Sequence, residues 1–244
     1  MKPVIVVTPQ TYEIPNLPFE AKMYATMTNC ADIFTQRGCI PVVPAFLDEE
    51  AADQLVKNSD GVFLTGGADV NPALYGEEKQ PYCGDIEPDR DRSDLNLLKA
   101  AIKYKKPVIA VCRGSQMATV HFGGALYQDL KTQTGTNLNH VDLYRTKGEV
   151  SHEVQVIPGT PLYNLFKEDV FGVNSTHHQG FKKLGPDCRP MAYATDGLCE
   201  SWYCEKDGIW VRVYQWHPEM QDDNKHKDGI LNEFVEECKA RMNK

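Results

Sequence analysis

A short apolar run that turns into a helix at a cysteine constrains this chain most. Val108–Val111 follows a proline and is typical of a strand buried in a parallel sheet. Cys112 ends the run, Gly114 allows a tight turn, and Ser115–His121 is predicted to be helical. Such a turn lifts the side chain of Cys112 out of the sheet and places it at a helix N-terminus, where the dipole favours a thiolate. We therefore predict that Cys112 is a nucleophile that attacks a carbonyl carbon.

The alternative for Cys112 is a buried structural cysteine, which is the usual state of cysteine inside proteins. Two other segments favour the nucleophile. Gly66-Gly67 follows the predicted strand Val62–Thr65, and His217–Glu219 follows the last predicted strand. Together they supply the backbone N–H groups, the imidazole and the carboxylate that a cysteine nucleophile requires.

Composition and charge exclude several classes of protein. The chain has 244 residues and a hydrophobic share of 41%, enough for one sizeable core, so we expect residues 1–244 to form a single domain. A net charge of −8 argues against a nucleic-acid partner, which would require a basic face. No apolar run is long enough for a signal peptide or a membrane span, so we expect no membrane partner.

The eight cysteines raise the questions of disulfide bonds and of a metal site, and we expect neither. The chain is long and contains no CxxC pair, which favours free thiols in a reducing cytoplasm. Cys199 and Cys204 lack the surrounding Cys and His residues of a zinc site. We therefore predict a cytoplasmic protein without a metal.

Predicted strands and helices alternate through residue 121, which indicates an α/β fold with a mainly parallel open sheet flanked by helices. In this part we predict strands at Pro3–Thr8, Ile40–Val43, Val62–Thr65 and Val108–Val111, and helices at 20–37, at 48–57 and after a cap at Ser93 or Asp94. After residue 135 successive strands add antiparallel or mixed pairs to the sheet, at 149–157, 171–175, 191–195, 199–205 and 209–215. A closing amphipathic helix is predicted at 230–242.

Two proline-containing stretches are predicted to be loops. Residues 10–18 include Pro15 and Pro18 and are expected near the mouth of the fold. Residues 76–91 are polar and charged, and we interpret them as a surface loop, with a lid over the substrate as a further interpretation.

The predicted site lies where parallel strands end. Ligands of such sheets bind at the carboxyl ends of the strands, and both Gly66-Gly67 and Cys112 occupy such ends. His217 and Glu219 are two positions apart, so they face the same side of an extended chain. His217 can then take the thiol proton and protonate a leaving amine, while Glu219 holds the imidazole in the required tautomer. The alternative is an exposed histidine beside an unrelated glutamate.

A second histidine pair is expected beside the pocket. His177-His178 follows a predicted strand end and neighbours Asn174 and Gln179, so we expect this segment to line the pocket. The alternative is a loop whose side chains bond to its own backbone. The sequence suggests no partner for the histidines at positions 121, 140, 152 and 226.

Taken together, these motifs resemble the class I glutamine amidotransferase-like hydrolases, most closely the γ-glutamyl-γ-aminobutyrate hydrolase type of the C26 peptidase family. The resemblance rests on five stretches in the order of the family: Leu64–Tyr75, Lys106–Gln116, Gly123–Leu130, Val173–Gln179 and Gln215–Glu219. It implies a flavodoxin-like fold and a cysteine amidase that releases glutamate from a small γ-glutamyl compound without a metal or organic cofactor. γ-Aminobutyrate, an amine of putrescine catabolism, is the leaving group best known in the family.

The resemblance also implies roles for individual residues. Cys112 corresponds to the nucleophile, His217 to the base and Glu219 to the group that orients the base. The backbone N–H groups of Gly67 and Arg113 correspond to the oxyanion hole. The substrate-binding positions of the family correspond here to Gly66, Gln116, Asn174, Ser175, His177, His178 and Gln179.

Several alternatives stay open at this point. Ala68 stands where the family often has a third glycine, and Ser115 where it often has Met or Leu, so the leaving group is not determined. The chain could instead be the glutaminase subunit of an amidotransferase, which delivers ammonia to a partner synthetase, or a γ-glutamyl-binding protein with a dead site. Hydrolysis of poly-γ-glutamyl folates is less favoured because such enzymes are typically exported. A homodimer is compatible with the sequence, which does not determine the oligomeric state.

Overall fold

The computed structural model describes residues 1–16, 18–143, 150–221 and 224–242. The strands in these residues are β1 (Val4–Val7), β2 (Gln10–Glu13), β3 (Lys22–Ala25), β4 (Ile40–Val42), β5 (Gly61–Leu64), β6 (Val108–Val111), β7 (Ala125–Tyr127), β8 (His152–Val156), β9 (Val170–Val173), β10 (Gly180–Lys183), β11 (Arg189–Ala194), β12 (Cys199–Cys204) and β13 (Val211–Tyr214). The helices are α1 (Thr28–Thr35), α2 (Glu49–Lys57), α3 (Pro88–Lys103), α4 (Arg113–His121), α5 (Leu130–Thr134), α6 (Pro161–Phe166) and α7 (Asn224–Arg241). Short 3-10 turns lie at Pro72–Tyr75, Lys206–Gly208 and Pro218–Met220.

A nine-stranded sheet of order β4-β1-β5-β6-β13-β12-β11-β8-β9 organises the described part of the chain. Its first five strands pair in parallel. From β13 onward each neighbouring pair is antiparallel. The predicted parallel sheet with additional antiparallel strands is therefore confirmed. The last strand in the chain, β13, lies in the middle of the sheet and pairs in parallel with β6.

Helices cover both faces of the sheet, because each face presents buried apolar side chains that must be removed from water. One core contains Phe34 of α1 and Phe234 of α7. The other contains Val56 of α2, Leu97 of α3 and Met117 of α4. No helix in the described ranges is both long enough and apolar enough to cross a bilayer.

The N-terminal part of the fold differs from the prediction. The predicted loop at 10–18 contains strand β2, which pairs with β3 as a separate antiparallel ribbon, and Leu17 within this stretch lies outside the described residues. Of the helix predicted at 20–37, only α1 is present, and the earlier residues of the stretch include strand β3. Met23 and Met27 are 45% and 44% exposed, so only the later apolar residues of the stretch face the core.

The start of α3 also differs from the prediction. The helix begins at Pro88, a favoured residue in the first turn, and not at a cap of Ser93 or Asp94. Both of these side chains are buried inside the helix-packing layer. The predicted loop at 76–91 therefore ends four residues earlier than expected.

Further along the chain, the sequence patterns did not predict β10, α5 or α6. The two short helices begin at side-chain caps, where Asp129 accepts a hydrogen bond from Thr132 N and Thr160 from Tyr163 N. The first residue of the strand predicted at 149–157, Glu149, lies outside the described residues. The closing helix α7 begins six residues before the predicted start at Ile230.

Candidate active site

Cys112 lies at a sharp turn between β6 and α4. Its φ of 48° and ψ of −113° are uncommon for a residue other than glycine, and such strain is concentrated at functional sites. Two backbone hydrogen bonds hold the turn, from Cys112 N to Tyr214 O at 3.0 Å and from Gly114 N to Thr65 O at 3.0 Å. A Cβ atom at Gly114 would lie only 2.4 Å from Leu64 O, so this position requires glycine. The strained turn therefore follows from the close packing of α4 on β5.

His217 and Glu219 follow β13, at the same edge of the sheet as Cys112. His217 Nδ1 donates to Glu219 Oε1 at 2.7 Å, and both side chains are buried. Asn174 holds the backbone of His217 from both sides, accepting from its N–H at 2.9 Å and donating to its carbonyl at 2.8 Å. The geometry leaves the Nε2 side of the imidazole free to face Cys112.

Gly66 lies between the imidazole and the thiol. A Cβ atom at Gly66 would be 3.0 Å from His217 Cε1 and 3.6 Å from Cys112 Cβ. The thiol is within hydrogen-bonding reach of the imidazole. The structure thus brings together Cys112, His217 and Glu219, three residues from two segments that are far apart in the sequence.

The electrostatics of the site favour a protonated imidazole. Burial disfavours the charged form of His217, but the Glu219 carboxylate and the Cys112 sulfur act in the opposite direction. As a result the pKa of His217 lies well above its ordinary value of 6.5. An imidazolium beside a sulfur atom is the arrangement in which a cysteine is ready to act as a nucleophile.

Arg90 positions the loop at Gly66-Gly67. Its Nη2 donates to Gly66 O at 2.6 Å. Gly67 has a φ of +150°, and a Cβ atom there would lie 1.9 Å from Arg90 Nη1, so no larger residue fits. The hydrogen bonds found across the described residues include none from the backbone N–H of Gly67 or of Arg113. Both groups are therefore available to an acceptor from a ligand.

A buried ion network lies beneath this loop. The Arg113 guanidinium donates to Asp91 Oδ1 at 2.6 Å and to Asp94, and Arg90 Nε lies 3.6 Å from Asp94 Oδ2. Burial and the charge of Arg113 lower the pKa of Arg90 to about 10. The four side chains tie the first turns of α3 to the start of α4. The network thus connects the glycine loop to the strained turn at Cys112.

The sequence interpretation missed this network because it placed Arg90 and Asp91 in a loop. A helical signal was nevertheless present. Arg90 and Asp94 are four positions apart, the spacing at which opposite charges meet on one face of a helix.

We expect Arg113→Met to lower the free energy of unfolding by about 3–5 kcal/mol, because it removes the guanidinium that pairs with the two buried carboxylates of Asp91 and Asp94. Urea unfolding curves at constant pH measure this change. The matched control is Arg92→Met in the same helix α3, where the side chain is 66% exposed. The control should change stability by no more than about 0.5 kcal/mol. Equal losses in the two variants would show that the network does not stabilise the fold.

The residues predicted to bind substrate occupy different environments. Gln116 is buried one turn into α4, with its side-chain amide 3.4 Å from Gln215 Oε1. His178 is 36% exposed in its side chain and bridges Asp69 at 2.9 Å and Asp129 at 3.3 Å. The hydrogen bond that His178 donates to Asp69 raises the pKa of His178 most, against the effect of burial.

The other predicted substrate residues are engaged in internal contacts. Ser175 donates to His140 O at 2.8 Å, and Gln179 donates to Gln128 O at 3.3 Å. His177 is buried with its Nε2 atom 3.6 Å from Glu200. Substrate contact by Ser175, His177 or Gln179 stays a prediction.

Three of the histidines without a predicted partner have one in the structure. His140 and His152 both face Glu200, at 3.3 and 3.6 Å. His226 stacks on Phe171, with the ring centroids 4.2 Å apart. Neither arrangement has a signal in the local sequence, because the partners lie far away along the chain.

Comparison with known proteins identifies the family to which this chain belongs. The peptidase C26 family model matches residues 3–219. The protein NtpR of Enterococcus hirae is 35% identical over an alignment covering 81% of this chain and 83% of that protein. The γ-glutamyl-γ-aminobutyrate hydrolase PuuD of Escherichia coli K12 is 35% identical, covering 81% of this chain and 79% of that enzyme.

Solved structures show the same architecture. A glutamine amidotransferase from Thermotoga maritima superposes with a TM-score of 0.58, covering 100% of this chain and 87% of the other, at 14% identity. The fold is therefore that of the class I glutamine amidotransferases. Since the family model covers most of its length, the chain belongs to the peptidase C26 family, a family of hydrolases.

Proposed function

We propose that this protein is a cysteine amidohydrolase that cleaves the γ-glutamyl amide bond of a small γ-glutamyl compound. The observation that carries the proposal is the buried His217–Glu219 pair, joined at 2.7 Å, facing the strained turn at Cys112. A strained cysteine beside an imidazole that is itself oriented by a carboxylate has the parts required for acyl transfer.

The reaction follows from this arrangement. His217 takes the thiol proton, and the Cys112 sulfur attacks the γ-carbonyl carbon to form a tetrahedral intermediate. His217 gives its proton to the amide nitrogen, the C–N bond breaks, and the amine leaves while a thioester remains on Cys112. His217 then removes a proton from water, the resulting hydroxide attacks the thioester, and glutamate leaves as the thiol is restored.

The negative oxygen of the intermediate requires donors. We assign this role to the backbone N–H groups of Gly67 and Arg113, each worth roughly 3 kcal/mol in comparable sites. Arg90 orients the first of these donors, because its bond to Gly66 O holds the peptide group between Gly66 and Gly67. A positioned peptide lowers the reorganisation required in the transition state.

The leaving group is proposed to be γ-aminobutyrate. Two features support a small γ-glutamyl substrate: the similarity to PuuD at 35% identity, and a partly buried polar corner at His178, Asp69 and Asp129 that can pair with a charged substrate. Gln116, Asn174 and Gly66 are proposed to shape the γ-glutamyl end of the pocket. The single domain, the homodimer, the absence of a cofactor and the cytoplasmic location stay predictions.

The test is glutamate release from four compounds: γ-glutamyl-γ-aminobutyrate, glutamine, a γ-glutamyl anilide and a poly-γ-glutamyl peptide. We expect release from the first compound at a kcat/KM at least about tenfold above the others, since a tenfold preference requires about 1.4 kcal/mol of differential contact. Turnover of glutamine alone, and only with a synthetase chain added, would favour the glutaminase subunit. Tight binding of all four without turnover would favour a dead site.

A further inference from the structure

Three histidines and a glutamate form a buried cluster beside the proposed active site. His140, His152 and His177 surround Glu200, with one ring nitrogen of each at 3.3, 3.6 and 3.6 Å from Glu200 Oε1. All four side chains are at least nine-tenths buried. His140 follows α5, His152 begins strand β8, His177 lies in the loop after β9, and Glu200 lies in strand β12.

When the imidazoles are neutral, the nitrogens that face Glu200 carry lone pairs in two of the three histidines. His140 uses Nε2 to donate to Asp196 Oδ2 at 2.9 Å, and His177 uses Nδ1 to donate to Gln179 O at 2.8 Å. In a neutral imidazole the other ring nitrogen is then an acceptor. Two acceptor nitrogens and a carboxylate therefore point to one place.

No protein group in the described part of the chain satisfies these inward-facing atoms. His140 Nδ1, His152 Nε2, His177 Nε2 and both carboxylate oxygens of Glu200 have no hydrogen-bond partner. A buried carboxylate that faces imidazoles without a well-formed hydrogen bond is unfavourable, unless a bound cation or a proton on an imidazole neutralises its charge.

The spacing of the atoms suits a tetrahedral ion. Zinc binds imidazole nitrogen and carboxylate oxygen at about 2.0–2.1 Å, which places tetrahedral ligand atoms about 3.3–3.4 Å apart. The separations of 3.3–3.6 Å from Glu200 Oε1 are close to this value. The ligand atoms of His140, His152 and Glu200 lie within 4.8 Å of one another, and His177 Nε2, which is outside this group, must move inward to complete the set.

We propose that His140, His152, His177 and Glu200 bind one divalent transition-metal ion, with zinc as the preferred ion. The donor set of three imidazoles and one carboxylate is one that zinc accepts, and it excludes magnesium and calcium, which prefer oxygen ligands. The outer contacts also fit. Asp196 and the carbonyl of Gln179 accept from His140 and His177, the arrangement that fixes the tautomer of metal-binding histidines.

An entry route for the ion is present. A cavity of about 320 Å³ is lined by His140, Val141, His177 and His178, among other residues. Protein side chains supply all four proposed ligands of the ion. No position is left for water or substrate, so the proposed site is structural. It stands against the prediction from sequence that no metal is bound.

The ion would stabilise the loop that supports His217. Ser175 Oγ and His177 N both bond to His140 O, at 2.8 Å each. The same loop carries Asn174, which holds the backbone of His217. The metal site therefore connects strands β8 and β12 to the segment that positions the proposed base, and its occupancy does not depend on the identity of the substrate.

The experiment uses the full chain, stripped with a chelator and dialysed. Zinc is titrated back, and the bound metal is counted by mass spectrometry. We expect one ion per chain and a melting temperature raised by about 5 °C or more at free zinc about 100 times the Kd. Cobalt in place of zinc should give the intense visible bands of a tetrahedral site. A chain that retains no metal, with a melting temperature unchanged by zinc, would overturn the proposal. It would indicate that protonated imidazoles neutralise Glu200 instead.

Variants locate the site within the chain. We expect His152→Ala and Glu200→Gln to lose the stoichiometric zinc and the cobalt bands. His121→Ala, a change at a histidine outside the cluster, should keep both. Zinc binding unchanged in the first two variants would place the ion elsewhere and contradict the proposal. The cobalt spectrum of the wild-type chain shows directly whether a tetrahedral site is present. This result does not depend on whether the variants fold. A negative zinc result with normal amide hydrolysis would leave the proposed function intact.

Discussion

Replacing Cys112 with alanine is expected to lower kcat for γ-glutamyl amide hydrolysis by a factor on the order of 10⁶ and to leave the fold intact. Loss of a nucleophile has this magnitude where the nucleophile and base act as a unit. Alanine keeps the Cβ atom, so the strained turn at φ 48° meets the same steric conditions as in the wild-type chain. The proposed thioester cannot form without sulfur.

Two measurements separate loss of chemistry from loss of structure. Glutamate release reports the reaction, and thermal unfolding reports the fold. Cys188→Ala is the matched control, since Cys188 is also a buried cysteine. This control should keep kcat within about twofold, because its thiol does not face His217. Turnover retained by Cys112→Ala would refute the covalent mechanism, whereas equal inactivation of both variants would point to a general effect of removing a buried thiol.

Replacing Glu219 with glutamine is expected to lower kcat by a factor on the order of 10⁴. The amide of glutamine can donate to His217 Nδ1, which would leave the proton on Nε2 and prevent the imidazole from accepting the thiol proton. The change also removes the negative charge that raises the pKa of His217. We therefore expect the alkaline limb of the kcat/KM profile to move to lower pH in Glu219→Gln.

The same shift predicts how stability depends on pH. The pKa of His217 in the folded state is raised above the unfolded value of about 6.5, so protonated His217 contributes stability that is fully present below this value. The contribution is lost as pH rises through the folded pKa. Wild-type unfolding free energy should therefore fall more steeply above pH 6.5 than that of Glu219→Gln.

Urea unfolding and kcat/KM, each measured across this range of pH, test both statements. Glu236→Gln is the control, because Glu236 is 70% exposed and pairs with Lys239, which is itself 45% exposed. The control should reproduce the wild-type profiles. An alkaline limb at the same pH in Glu219→Gln and in the wild type would show that Glu219 does not hold the charge on His217.

The elbow at Cys112 was predictable because its sequence signal is local. A buried apolar run, a cysteine and a glycine two residues later determine a strand, a strained turn and a helix. The pair His217 and Glu219 was predictable for a similar reason, since a spacing of two residues places both side chains on one side of an extended chain. In both cases the pattern that predicts the feature lies within a few residues of sequence.

The ion network and the histidine cluster were not predictable in this way. Arg113 meets Asp91 and Asp94 only because α3 packs on the beginning of α4. Glu200 meets His140 and His152 only because strands β8 and β12, which both pair with β11, and a loop converge. A single sequence gives no measure of which distant segments pack together, and local propensity cannot supply it.

By itself, the sequence determined the proposed reacting groups and their local geometry: a cysteine at a strand end, a glycine pair at another, and an imidazole with its carboxylate. Only the tertiary structure decided that these groups share one site. Strand β13 inserts beside β6, where Tyr214 pairs with Val111 and accepts a hydrogen bond from Cys112 N. This parallel register brings His217 to the thiol. The register is set by burial of the strands between two layers of helices, a property of the whole fold and not of any short stretch.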